Sequence, residues 1–312
     1  MSGNNYDGCI TVCKTNDREK QLGGIIARFI AFSAKHLPDD VVARLTELRA
    51  EEDSPMAKTI YDAMFTDLEM AASFSRPCCQ DTGILQFFAR AGTGFPFIGE
   101  LEACIKDAAV AATGDAPLRP NAVEFFDEKN SGDNTGTRIP WLDWEIVSGS
   151  DLELYLYMAG GGCSLPGFAK TLMPLEGYEG AVKAVFDQIA SYGVNACPPL
   201  LVGIGLGGSV DTAAKLSKKA LLRFIGTRNS NAKGAELETR LEAALDSIGL
   251  GPGGFSGKRS VMAVHIEQAA RHTATIAVAL STGCWAHRRS LIRIDKNLNW
   301  RVLSHKTQMD EC

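Results

Sequence analysis

The chain has 312 residues, of which 45% are hydrophobic and 22% charged, with a formal net charge of -5. This is ordinary globular composition, and the chain is long enough to bury a core without disulfides or a structural metal. The mild acidity excludes a broad nucleic-acid footprint, which needs a basic face, but not a small anion held by a few local arginines.

Residues 1–16, MSGNNYDGCITVCKTN, read as a loose leader without the apolar core of a secretion signal, and 17–312 as one domain. From Leu22, apolar residues recur as Ile25, Ile26, Phe29 and Ile30, one face of a helix that ends at His36-Leu37-Pro38. A second short helix is expected from near Val41 to Arg49. Ser54-Pro55 starts a third, with Ser as cap and Pro in the first turn, running to about Ser73. The first hundred residues are thus expected to be mainly helical. Cys104, in the helical pattern LEACIKDAAV, reads as a small core residue.

The pattern then changes. Trp144–Val147 and the alternating Leu152, Leu154, Leu156 and Met158 read as two strands joined across Ser148-Gly149-Ser150-Asp151 into a hairpin. Helices are expected at about 179–192, 210–224 and 234–247, and strands at 260–267, 275–281 and 291–295. The fold class is α+β: a helical N-terminal region, then mixed strands and helices, with a hairpin near 144–158. No stretch is long and apolar enough to span a membrane, so a cytoplasmic location is expected.

Cytosolic thiols are normally reduced, and an odd total of nine cysteines cannot be fully paired. There is no C-x-x-C and no paired-histidine spacing for a structural zinc site. Cys9, Cys13 and Cys312, near the ends, read as incidental. Cys79 precedes Gln80-Asp81-Thr82-Gly83. Cys197 precedes Pro198-Pro199, which should hold it extended. Cys284 follows Ser281-Thr282-Gly283. Each sits at an element edge beside Gly or Pro. Two readings stay open: three thiolates holding three corners of a cubane cluster with one iron free, or unrelated buried thiols.

Gly203, Gly205 and Gly208 match a dinucleotide fingerprint, but residues 224–232 lack the acid that should follow. The other reading is glycines that permit tight packing. His287-Arg288-Arg289 reads as a solvated turn or an interface, and Glu124–Glu128 as a solvated loop.

The segments SRPCCQDTGILQFF, APLRPNAVEFFDEKNSGDNTG, YMAGGGCSLPGFAKTLMPLEGYEG, VNACPPLLVGIG, SVMAVHIEQAARH and STGCWAHRR stand in this order. In them, from about residue 18 to the end, the chain resembles the iron–sulfur hydro-lyase family of tartrate dehydratase α-subunits and class I fumarases. The resemblance implies a 4Fe-4S cluster on Cys79, Cys197 and Cys284, with a small dicarboxylate on the open iron. It implies Gln80 and Asp81 beside the cluster, Arg119 on a substrate carboxylate, and backbone N–H groups of Gly161 and Gly162 toward the ligand. His272, with Asp81, would assist protonation of the leaving hydroxyl. A β-subunit would carry the carbon base, in an α2β2 heterotetramer. The implied reaction is dehydration of L-tartrate to oxaloacetate. The alternatives are fumarate and malate, or a nucleotide-binding oxidoreductase built on the 203–208 glycines. Cys78 stands where the family has a non-thiol residue, and Cys163 reads as a spare thiol near the pocket.

Overall fold

Three helices open the chain, α1 (Asp17–Lys35), α2 (Asp39–Glu51) and α3 (Pro55–Ser73), in a computed structural model that describes residues 16–311. The expected leader and Cys9, Cys13 and Cys312 lie outside these residues. Only Asn16 of the leader is described, and it caps α1. Its side chain accepts the Arg18 N–H, and Glu19 reaches back to the Asn16 N–H, a capping box. Leu22, Ile25, Ile26, Phe29 and Ile30 form the buried stripe of α1. Ser54 caps α3 as its sequence suggests. No helix among the described residues is long and apolar enough to cross a membrane.

Two sheets follow. The first has the order β2-β1-β3-β8-β9, built from β1 (Ile84–Gly92), β2 (Trp141–Val147), β3 (Leu152–Ala159), β8 (Arg289–Ile294) and β9 (Trp300–Val302). Helices α1 and α4 (Leu101–Asp115) share its core, with Phe29, Leu85, Phe87, Ile105, Leu154 and Ile292 among the residues. Cys104 is a buried member of that core. The second sheet has the order β4-β7-β5-β6, from β4 (Phe168–Leu172), β5 (Leu200–Gly208), β6 (Val261–Arg271) and β7 (Ile276–Gly283). A single helical turn, α5 (Gly161–Ser164), lies between β3 and β4.

Side chains alternate across a strand, so β5 presents two different faces. Val202 and Ile204 pack with α6 (Gly177–Tyr192) and α8 (Ala232–Asp246). Gly203 and Gly205 face α7 (Val210–Leu222). A Cβ on Gly205 would lie 1.9 Å from the Ala213 carbonyl oxygen, and one on Gly203 2.4 Å from that of Ser217. The glycines of the apparent dinucleotide fingerprint therefore let a helix backbone rest directly on a strand. A third core joins α2 and α3 to both sheets, through Leu45, Leu48 and Tyr61, Tyr157 of β3, and Leu201 and Met262 of β5 and β6.

The α+β reading holds, and the expected helices and strands from residue 179 onward form close to their expected bounds. The hairpin does not form. β2 and β3 are both present, but β1 lies between them, parallel to β2 and antiparallel to β3. The 148–151 turn instead wraps over the end of β1: the N–H groups of Gly92, Thr93 and Gly94 donate to carbonyls of Asp151, Val147 and Gly149. Gly92 makes this possible, since a Cβ there would sit 2.4 Å from the Gly149 backbone.

Gly205→Ala should lower stability by about 1–3 kcal/mol through overpacking of α7 on β5, measured by denaturant unfolding. An unchanged midpoint would contradict this packing.

Candidate active site

Four cysteines stand at element edges where the two sheets meet. Cys79 lies in the loop from α3 to β1. The Cys78 N–H donates to the Ala34 carbonyl at 3.1 Å, fastening that loop to the end of α1. The Cys78 side chain is a buried member of the third core, and burial pushes its thiol up to about 11. Cys79 is half-buried on the other side of the loop. Cys163 is buried in α5.

Cys197 follows a 3-10 turn, Gly193–Ala196, and precedes β5. It is not extended. Its φ of 55° and ψ of 69° are left-handed, because the chain must reverse between the turn and the strand. Such a conformation is costly for a residue with a Cβ and gathers at functional positions. The Cys197 carbonyl accepts the Trp285 N–H at 3.1 Å, which joins this segment to the loop that holds Cys284.

Asp81 ties these loops together. Its Oδ1 accepts N–H groups from Gly83 at 3.0 Å and the Asn121 side chain at 3.3 Å, and its Oδ2 accepts the Gly161 N–H at 2.8 Å. Its carbonyl accepts Nη2 of Arg288 at 2.7 Å. The glycine run has a packing reason as well. A Cβ on Gly160 would lie 3.0 Å from the Asp81 carboxylate, and one on Gly162 3.0 Å from the Asn195 carbonyl.

The sulfurs feel one another. Burial raises the Cys197 thiol, and the charges of Cys79, Cys163 and Asp81 add to the shift. Cys163 and Cys284 lie close enough to shift each other. Its neighbour Cys284 draws the Cys163 thiol down to about 6, and Cys163 together with burial raises the Cys284 thiol, with the charge of Cys79 also contributing. The direction that matters is shared: one of the two ionises readily while the other holds the proton. Among the described residues no three His, Cys, Asp or Glu side chains gather tightly enough for a single metal ion. Thiolates are the donors that an iron–sulfur group takes, and Cys79 lies within electrostatic reach of both Cys197 and Cys284, which come from separate segments.

The structure brings Gln80, Asp81, Arg119, Gly161 and Gly162 to the same region as Cys79. The Gln80 Oε1 lies 3.9 Å from the Cys79 sulfur. Arg119 is held nearby through its carbonyl, which accepts the Thr82 hydroxyl at 3.2 Å, and its side chain is exposed. Three details differ from expectation. The Gly161 N–H is already engaged by Asp81. The Asp81 carboxylate, with three N–H donors, is a brace between loops. His272 is not brought to the thiols of its own chain. It sits in the exposed β6–β7 turn, where its Nδ1 accepts the Ala274 N–H at 3.1 Å. β7 has 8 residues between that turn and Cys284. At a strand's rise this is roughly 25 Å.

His287, Arg288 and Arg289 are all buried, not solvated. The His287 Nε2 meets the Leu221 carbonyl at 3.0 Å, and burial lowers its pKa to about 3, so it is neutral. Arg289 pairs with Asp40 and lies 4.4 Å from the Phe224 ring centre. Gly283 lets this segment fold back, since a Cβ there would be 2.3 Å from the His287 Nδ1.

Two further residues escaped the sequence reading. The Tyr157 hydroxyl donates to the Thr282 carbonyl at 3.1 Å and lies 3.8 Å from the Cys163 sulfur. The Lys218 Nζ lies 5.4 Å from the Tyr157 ring centre, and burial lowers its pKa. Lys218 lines an open cavity of about 470 Å³ together with Ser164 and Thr282. In KLSKKALL nothing distinguishes it from its neighbouring lysines.

Residues 24–293 match the family described as fumarate hydratase (fumerase). The chain is 54% identical over 286 residues to the L(+)-tartrate dehydratase subunit alpha of Escherichia coli (strain K12), a match spanning 91% of this chain and 94% of that protein. The same figures hold for the subunit of that name from Escherichia coli (strain UTI89 / UPEC). A putative L(+)-tartrate dehydratase subunit alpha of Methanocaldococcus jannaschii is 34% identical over 278 residues, covering 88% of this chain and 98% of that one. The similarity thus runs through nearly the whole of each chain and is not confined to a motif.

Alkylation of the metal-free protein with iodoacetamide near pH 8, followed by mass spectrometry, should modify Cys79 at least about tenfold faster than Cys78, which burial keeps protonated. Equal rates would contradict the assignment of Cys78 to the core and Cys79 to the site.

Proposed function

The chain belongs to the fumarate hydratase family, and from that membership we propose that it is the α-subunit of an iron–sulfur hydro-lyase that dehydrates L-tartrate to oxaloacetate. The observation that carries this reading is the convergence of Cys79, Cys197 and Cys284 from three separate segments, beside a loop that bears Gln80 and Asp81. The identity of 54% to proteins named L(+)-tartrate dehydratase subunit alpha supports the choice of substrate.

In this reading Cys79, Cys197 and Cys284 hold a 4Fe-4S cluster. A cluster so bound supplies an iron without a protein ligand, a Lewis acid for the departing hydroxyl. The chain's own groups do the rest of the binding. Arg119 has an exposed guanidinium with no hydrogen bond or ion pair among the described residues, so its fork is available to a carboxylate. Gln80 offers an amide beside Cys79 and helps fix the substrate's orientation. Asp81 keeps the 78–83 loop seated against α5, which holds Gln80 and Cys79 in position. Gly162 admits the Asn195 carbonyl and so brings the Cys197 segment close to Cys163.

The proton-transfer groups come from a partner. Asp81 is occupied as a brace and His272 is remote within its own chain, so neither serves as the acid here. A β-subunit supplies the acid and the carbon base, in an α2β2 assembly in the cytoplasm. The word alpha in the relatives' names supports such a partner. A second reading, action on fumarate and malate, is favoured by the family match itself.

The test is anaerobic reconstitution of the chain with its partner, followed by assays on L-tartrate, L-malate and fumarate. The expected outcome is a kcat/KM for L-tartrate at least about tenfold above the others, a difference of ~1.4 kcal/mol in activation free energy. Cys197→Ser should abolish turnover. Faster turnover of malate and fumarate would shift the assignment to the second reading, and full activity without iron would overturn both.

A further inference from the structure

Arg288 is buried as few arginines are. It is 1% exposed. Its Nη2 donates to the Asp81 carbonyl at 2.7 Å, and it has no carboxylate partner among the described residues. Its Nε and Nη1 are buried with no hydrogen-bond partner. A guanidinium carries five N–H donors and a permanent charge, and leaving them dry and unpaired is strongly unfavourable. Something should meet them. The charges that act most strongly on it are those of sulfurs, from Cys78, Cys284, Cys79 and Cys163. Burial works against the charge of Arg288, but these sulfurs outweigh it.

We propose that Arg288 is the counter-ion and hydrogen-bond donor for the inorganic group that Cys79 and Cys284 hold, with its unpaired Nε–H and Nη1–H directed to sulfur. This rests on the reading of Cys79, Cys197 and Cys284 as cluster ligands. Arg288 is a positioning residue, since it acts through the sulfurs. Its bond to the Asp81 carbonyl couples that role to the loop carrying Gln80. N–H···S bonds and a nearby positive charge favour the more negative, reduced cluster, so they raise its reduction potential and slow its loss.

Arg289 provides an internal comparison. It is also buried, and its Nε and Nη1 also lack partners among the described residues, but it pairs with Asp40, and the charges that act most on it are those of Asp40 and Tyr155. Any effect of disturbing a buried arginine in this segment should appear at both positions. An effect on the cluster should appear only at Arg288.

The experiment reconstitutes the full chain and its partner with iron and sulfide, as wild type and as Arg288→Gln, Arg288→Lys and Arg289→Lys. Iron and sulfide per chain, the rate of cluster bleaching by EDTA, and the reduction potential from an EPR-monitored titration are measured. Circular dichroism checks folding. Arg288→Gln should bleach at least about tenfold faster than wild type, the scale of effect typical of groups that support metal ligands. Its potential should fall. Arg288→Lys, which keeps the charge but not the fork, should lie between, and it carries the test if the glutamine variant does not fold. Arg289→Lys should melt earlier yet keep the wild-type potential and bleaching rate. Wild-type potential and bleaching in both Arg288 variants would overturn this proposal alone. A wild-type chain that takes up no iron or sulfide would overturn the reading of the cysteines, and the role of Arg288 with it.

Discussion

Asp81 lies where four segments meet, and its bonding explains why the site has a shape at all. One carboxylate oxygen holds the Gly83 N–H and the Asn121 side chain, and the other holds the first N–H of α5. Its carbonyl holds Arg288. Loops are otherwise the least fixed parts of a fold. Here one residue fastens the Cys79 loop, the glycine run before Cys163, the Arg119 segment and the turn after Cys284 to each other. Charge-assisted bonds to a carboxylate are about twice as strong as neutral ones, which suits this task.

The two sheets supply the frame around that point. β3 of the first sheet and β5 and β6 of the second contribute to one shared core under α2 and α3. The thiols sit where strands of both sheets end or begin, so rigid elements aim them while short loops carry them. The same arrangement buries an unusual amount of charge and polarity. His287 is neutral in the core, Arg289 is paired with Asp40, and Lys218 lies against Tyr157 with its pKa lowered by burial. Such groups are costly in a protein interior unless something compensates them.

Much of the frame was legible in the sequence, because local chemistry sets it. Ser54-Pro55 and the stripe from Leu22 to Ile30 fix helices through capping and periodicity, and neither depends on distant residues. The hairpin failed for the opposite reason. The Ser148–Asp151 turn is consistent with two adjacent strands, and only β1, some fifty residues earlier in the chain, decides that they are separated. Cys197 shows the same limit. The following proline argues for an extended backbone, but the need to reverse from the 3-10 turn into β5 prevails. The burial of His287-Arg288-Arg289 was invisible because three polar residues in a row read as surface. What buries them is a fold-back allowed by Gly283 and partners such as Leu221 and Asp40. Settings beside Gly or Pro marked out Cys79, Cys197 and Cys284, family resemblance gave them a role, and Cys78 and Cys79 separate only when burial is known.

The division of labour that emerges is simple. This chain presents thiols, an exposed arginine and an amide in a braced ring of loops, and in the proposed reading proton transfer falls to another subunit. Anomalous diffraction at the iron edge from crystals of the anaerobically reconstituted protein tests the centre of this account most directly. The account predicts one iron-rich peak bonded to the sulfurs of Cys79, Cys197 and Cys284, with Cys78 and Cys163 unbound. Iron density elsewhere, or a peak that omits any of those three sulfurs, would contradict it.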